Sequence, residues 1–186
     1  MVVPRGASED RGKAGTDILK GSAAFRSEGR LPSLTWGSSK HCGSIWRSSQ
    51  PKVGLQTNRS SADEGYLQLL VDAVNRQRSL SNQKEELFDY AYKILDLRPK
   101  SSAMANRTQG YGYETSVGYP ASHIKWCNIG NIHAVRSSWE KICKLFAVGA
   151  NDEEKLVKWG SLVEDTKWLS FTRLILKVGL NMFRVV

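Results

Sequence analysis

The side chains with chemical potential cluster between Leu95 and Phe146. Asp96 and Arg98 stand two residues apart ahead of Pro99. Ala105-Asn106-Arg107 follows, then Gly110-Tyr111-Gly112-Tyr113-Glu114, and Asn131-Ile132-His133-Ala134-Val135-Arg136-Ser137-Ser138 closes the set. Amides and backbone N–H groups at helix ends suit phosphate oxygens and hydroxyl groups. Read by themselves, Asn106 suits a turn and Asn131 a helix cap. Asp96, Arg98 and Glu114 read as structural or solvated ion-pair partners, and His133 as a cap-region or core histidine. The three cysteines, Cys42, Cys127 and Cys143, have no paired spacing. That pattern argues against a disulfide scaffold or a zinc site and fits a reducing compartment. No metal or cofactor is expected.

Elements must position these groups. Tyr90 to Leu97 is aromatic and branched and reads as a buried strand, ended by Pro99. Ser101 to Arg107 can form about two helical turns, stopped by Gly110 and Gly112. Ser122 to Asn128 alternates and reads as the next strand. Asn131 then caps a helix with Val135, Trp139, Ile142, Cys143 and Phe146 on its apolar face. Cys143 is expected there as a small buried thiol. Upstream, Leu34–Trp36 and Ser44–Trp46 read as a hairpin. Ser61-Ala62-Asp63-Glu64 reads as a capping box with Ser61 as the cap, opening a helix that carries Leu67, Leu70, Val71 and Val74. Residues 76–88 read as a polar connector. Downstream, Asn151-Asp152-Glu153-Glu154 caps a helix with Leu156, Trp159 and Val163, and Thr166 to Leu176 continues the pattern. Strands alternating with helices predict an α/β layer fold.

The length of 186 residues suits one domain. Net charge is +9, and residues 1–60 hold ten Lys/Arg against four Asp/Glu. Such a field favours anionic partners. The basic residues are scattered and do not alternate with stacking aromatics, so nucleic acid is not an expected partner. No apolar run is long enough to predict a membrane-spanning helix, and the first ten residues lack an apolar signal core.

The motifs of the 95–146 stretch, in this order and spacing, resemble the core of the myotubularin family of phosphoinositide 3-phosphatases. The resemblance extends to Val2-Val3-Pro4, Phe25-Arg26-Ser27 with Arg30 and Pro32, Arg47-Ser48-Ser49-Gln50-Pro51, and Thr166-Lys167-Trp168-Leu169. It covers most of residues 2–177 and implies a partial protein-tyrosine-phosphatase-like fold, a mixed sheet flanked by helices. The domain would span 1–186, with 1–23 as a flexible leader and 178–186 as an atypical tail. The implied activity is removal of the 3-phosphate from phosphatidylinositol 3-phosphate and phosphatidylinositol 3,5-bisphosphate through a cysteinyl-phosphate intermediate. Such enzymes use a cysteine with five residues between it and an arginine. Here Cys42 reaches Arg47 across only four residues, Cys127 has His133 at the required position, and Cys143 has Gly149. No catalytic residue is assigned, and these 186 residues alone are expected to be inactive, ending before the family's catalytic loop. By resemblance, the headgroup contacts would be Asn106, Asn131 and Ile132. The implied partners are phosphoinositide headgroups and other myotubularins, and the implied location is the cytoplasm, peripheral to endosomal membranes. The rival expectation is a non-catalytic pseudophosphatase scaffold.

Overall fold

The computed structural model describes residues 12–38, 43–80, 92–149 and 158–183. The Val2-Val3-Pro4 segment, Cys42, the greater part of the 76–88 connector and Leu156 lie outside those residues. The described residues up to Leu95, with Ser101–Lys125, make one compact unit; Asp96–Lys100 and the residues from Trp126 onward make a second.

The first unit is built on two helices, α1 (Gly12–Phe25) and α2 (Ser61–Leu80). Three glycines and few large apolar residues make α1 a weak helix by propensity, and its composition reads as a leader. Tertiary packing decides otherwise, as it does for most helices in proteins. Ile18, Leu19 and Ala23 of α1 pack against a core of Leu31, Tyr66 and Leu70, joined by Trp46 and Leu67. Gly21 is the closest approach: a Cβ added there would lie 2.6 Å from the Ala62 Cβ. Tyr66 is fully buried, and its hydroxyl donates to the Pro32 carbonyl at 3.1 Å.

Strands β1 (Ser33–Gly37) and β2 (Ser44–Arg47) form the expected antiparallel hairpin, with an irregularity in register between Leu34 and Trp36. The start of α2 corrects the capping-box reading. The Asp63 N–H donates to Ser60 Oγ at 3.3 Å, and the Glu64 N–H to the Ser60 carbonyl at 3.0 Å. Ser60, not Ser61, is the cap. Glu64 does not reach back, because its carboxylate is held by Arg59 at 2.8 Å.

A second pair joins β3 (Tyr92–Asp96) to β4 (Ser122–Trp126). The Tyr92 N–H donates to Ala121 O, the Cys127 N–H to Asp96 O and the Ile129 N–H to Leu97 O. Residue numbers rise together along both segments, so these strands run parallel. The fold is thus mixed α/β, and the described strands pair as two two-stranded sheets. Between β3 and β4 the chain forms α3 (Lys100–Ala105) and a 3-10 turn (Asn106–Gln109). Gly110 ends the turn at φ 82°, in the left-handed region glycine favours.

In the second unit, α4 (Ile132–Gly149), α5 (Trp159–Asp165) and α6 (Trp168–Phe183) pack together. Trp139 meets Trp168 with ring centroids 4.9 Å apart, and Phe146 meets Trp159 edge-on at 5.2 Å. Helix α6 continues through Gly179 to Phe183. Among the described residues of α4, Ser138 and Ile142 are buried, while Cys143 is exposed. The expected buried thiol at Cys143 is therefore corrected. The helix is rotated so that 138 and 142, one turn apart, point inward, and 143 turns to solvent. No described helix is long and apolar enough to cross a membrane.

Candidate functional site

Arg26 follows α1 directly and forms an isolated β-bridge with Pro51. Its guanidinium and the Asp63 carboxylate are both fully buried. The Arg26 Nε donates to Asp63 Oδ1 at 2.8 Å and Nη2 to Asp63 Oδ2 at 2.6 Å, a two-pronged match of planar groups. Nη1 donates to the Ser49 carbonyl at 2.9 Å and also pairs with the Glu114 carboxylate. Asp63 further accepts from Ser22 Oγ at 2.6 Å and from the Tyr119 hydroxyl. No buried side-chain polar atom among the described residues lacks a partner. One cation thus ties α1, the hairpin exit, α2 and the loop leading to β4.

The electrostatics follow from this packing. Burial alone would lower the Arg26 pKa, but the Asp63 hydrogen bonds and the charges of Glu114 and Asp63 outweigh it, so its proton is held more tightly than usual. Burial, reinforced by the Asp63 charge, pushes the Tyr119 phenol well up from its ordinary value of 10, and Tyr66 moves the same way for the same reasons. Tyr92 is pushed up to about 12, by burial first and then by the Glu114 charge. Each of these phenols holds its proton more tightly folded than unfolded. Their contribution to stability is complete below pH 10 and is lost as pH rises beyond it, over the interval from 10 to about 12 for Tyr92. Stability should therefore be unaffected by these groups below pH 10 and then fall. An alkaline titration followed by phenolate absorbance and circular dichroism tests this. These three of the six tyrosines should ionise only as the fold is lost. All six ionising near pH 10 with the fold intact would contradict it.

The candidate binding residues sit in two places. Asn106, in the first unit, begins the 3-10 turn, and its Nδ2 donates to Gln50 Oε1 at 3.0 Å. Its carbonyl accepts from the Tyr111 N–H at 3.1 Å. Next to it, the Arg107 Nε donates to the Gly54 carbonyl at 2.9 Å, and Gly54 N–H donates to Tyr111 O at 2.9 Å. Gly112 lies against Val53, where an added Cβ would be 3.1 Å from the Val53 Cβ. In the second unit, Asn131 caps α4: its Oδ1 accepts from the Ala134 N–H at 2.9 Å. Ile132 is 77% exposed. Asp96 and Arg98 form the expected structural pair, Nη2 to Oδ2 at 2.7 Å. Glu114 is likewise structural, through Arg26. Cys127 is buried, and its N–H donates to the Asp96 carbonyl at 2.8 Å.

A family model for the myotubularin-like phosphatase domain matches residues 2–186. The chain belongs to the myotubularin-like phosphatase family. It is 36% identical to the myotubularin of Xenopus tropicalis over 176 residues, which is 95% of this chain and 25% of that protein. It is 38% identical over 170 residues to the phosphatidylinositol-3,5-bisphosphate 3-phosphatase MTMR2 of Pongo abelii, 91% of this chain and 22% of that one. The chain thus spans about a quarter of the length of these relatives.

In this myotubularin-like chain three of the motifs that carried the resemblance meet in one place. Arg26 of the Phe-Arg-Ser motif takes hold of Glu114 from the Gly-Tyr-Gly-Tyr-Glu loop and of Ser49 beside Gln50-Pro51. Sequence reasoning quoted all three motifs and missed their shared centre, along with Asp63, Ser22 and Tyr119. Local pattern marks none of these contacts, since the side-chain partners of Arg26 lie 22 to 88 positions away.

Proposed function

We propose that this chain supplies headgroup-binding residues of a phosphoinositide 3-phosphatase of protein-tyrosine-phosphatase-like architecture, acting on phosphatidylinositol 3-phosphate and phosphatidylinositol 3,5-bisphosphate. The family match across residues 2–186 carries this reading. In it, Asn106, Asn131 and Ile132 contact the headgroup. A side-chain amide offers two N–H donors and a carbonyl oxygen. Asn106 has one N–H committed to Gln50, and Asn131 has its oxygen committed to the α4 cap, which leaves its N–H groups for phosphate or hydroxyl oxygens. The backbone N–H of Ile132, in the first turn of α4, adds a donor at the positive end of the helix. Chemistry in such an enzyme requires a cysteine thiolate poised beside an arginine, with the phosphoryl group passing to sulfur and then to water. The same reading locates the protein in the cytoplasm at the surface of endosomal membranes, with other myotubularins as oligomer partners.

A titration of the isotope-labelled chain with dibutanoyl phosphatidylinositol 3-phosphate tests the binding residues. Asn106→Ala and Asn131→Ser should each weaken binding by up to about tenfold, the worth of one hydrogen bond. Serine retains the cap, whereas Asn131→Ala would also cost about 1 kcal/mol of stability. Unchanged binding in a folded Asn106→Ala, Asn131→Ser double variant would remove both side chains from the site.

The alternative reading is a non-catalytic scaffold that binds phosphoinositides or partner myotubularins. None of Cys42, Cys127 and Cys143 has an arginine at the five-residue gap. The coding sequence following Val186 discriminates: a Cys-x5-Arg loop there supports the enzyme.

A further inference from the structure

We propose that Gln50 is a positioning residue for Asn106, fixing the orientation of its side-chain amide toward the headgroup. The inference rests on the headgroup-binding reading of Asn106. An asparagine amide can turn about its last bond and exchange donor for acceptor, and its hydrogen-bond partners settle which way it faces. Gln50 is the partner that meets this amide: its Oε1 accepts from Asn106 Nδ2 at 3.0 Å, so the two amides set each other's orientation. The oxygen can only accept, so it commits the NH₂ side of Asn106 to itself.

The backbone is anchored at both ends of this contact. The Gln50 backbone carbonyl accepts from the Ser27 N–H at 3.0 Å. On one side of it, the Ser49 carbonyl is gripped by Arg26 and the Ser49 Oγ donates to the carbonyls of Ser27 and Arg30, both at 2.9 Å. On the other side, Pro51 bridges to Arg26 and the Lys52 N–H donates to Phe25 O at 2.7 Å. Asn106 is fixed through its own carbonyl to Tyr111, and through Arg107 to Gly54. The two side-chain amides thus meet from backbone that is held on both sides, with 56 positions of sequence between them. Because Gln50 acts through Asn106, it determines how well the amide is presented without itself touching ligand.

The test uses the full chain labelled with ¹⁵N, without ligand and then with dibutanoyl phosphatidylinositol 3-phosphate. Without ligand, the Asn106 side-chain NH₂ signals should be dispersed and slow to exchange. Gln50→Met removes the acceptor and should collapse them toward free-amide positions, while Gln50→Glu, which still accepts, should keep them dispersed. The backbone signals of Gly54 and Tyr111 should stay in place in both, which a general loosening of the fold would not allow. With ligand, Gln50→Met should weaken binding by about two- to tenfold. The Gln50→Met, Asn106→Ala double variant should bind no more weakly than Asn106→Ala alone. Unmoved Asn106 signals in Gln50→Met, or additive losses in the double variant, would overturn the inference while leaving Asn106 in the site. Wild-type binding by Asn106→Ala, or no binding by the wild type, would remove Asn106 from the site and the inference with it.

Discussion

Arg26→Met is expected to destabilise the first unit by about 3–5 kcal/mol, enough to unfold many domains outright. Methionine fills much of the arginine volume, so the loss is electrostatic rather than a cavity effect. Asp63 is fully buried and would keep only its bonds from Ser22 and Tyr119, with Glu114 close by and no cation between them. The carboxylate would have to take up a proton or the structure would have to admit water. Arg26→Lys should recover only part of the loss. A lysine supplies the charge but not the flat fork that meets both Asp63 oxygens and the Ser49 carbonyl at once. Urea denaturation and amide exchange at Tyr66 would measure it. A midpoint within error of the wild type would show that the ion is not what holds α1, α2 and the two loops together.

The second large effect is expected at Gly21. On an exposed helix, Gly→Ala stabilises by about 0.8–1 kcal/mol. Here the new Cβ would sit 2.6 Å from the Ala62 Cβ, where carbon atoms normally approach to about 3.5–4.0 Å. The obstacle is a methyl fixed directly to the backbone of α2, so no side-chain rotation relieves it. The helices must separate, loosening the contacts of Ile18, Leu19 and Ala23 with the Leu31–Tyr66–Leu70 core. Overpacking of this kind costs about 1–3 kcal/mol, so the clash should outweigh the propensity gain. Gly21→Val should be worse than Gly21→Ala, and Ala62→Gly should rescue Gly21→Ala by returning the missing space. A stabilised Gly21→Ala, measured by thermal denaturation, would show that the helices part at little cost.

Legibility in the sequence varied with the range of the forces involved. Features set by near neighbours were readable: the Asn131 cap, the Gly110 stop, the hairpin, the β3 and β4 strands, and the structural roles of Asp96, Arg98 and Glu114. Features set by distant partners were not. Helix α1 has poor propensity and exists because Gly21 lets it lie against α2. Asp63 looked like one residue of a capping box, yet its carboxylate belongs to an arginine 37 positions earlier, and the cap itself falls to Ser60. Cys143 was assigned inward because five apolar residues suggested one stripe on α4. The structure buries Ser138 and Ile142 instead and satisfies Trp139 and Phe146 by contact with the tryptophans at 168 and 159. The Gln50–Asn106 pair had no local signal at all, although both residues lay in quoted motifs.

The ion at Arg26 also constrains how the chain is made. Its last partner, Glu114, is 88 positions downstream. At about 5–20 residues per second, a ribosome needs roughly 4–18 s to add that stretch. During that time α1 has emerged without Asp63, then with Asp63 but without Glu114 or Tyr119. A weak helix left waiting stays hydrated and unformed, with its arginine in water, and so offers no half-built charged core for other chains to seize. Nascent chains stalled after Leu80 should therefore show α1 open to protease, and chains stalled after Ala121 had cleared the exit tunnel should show it protected.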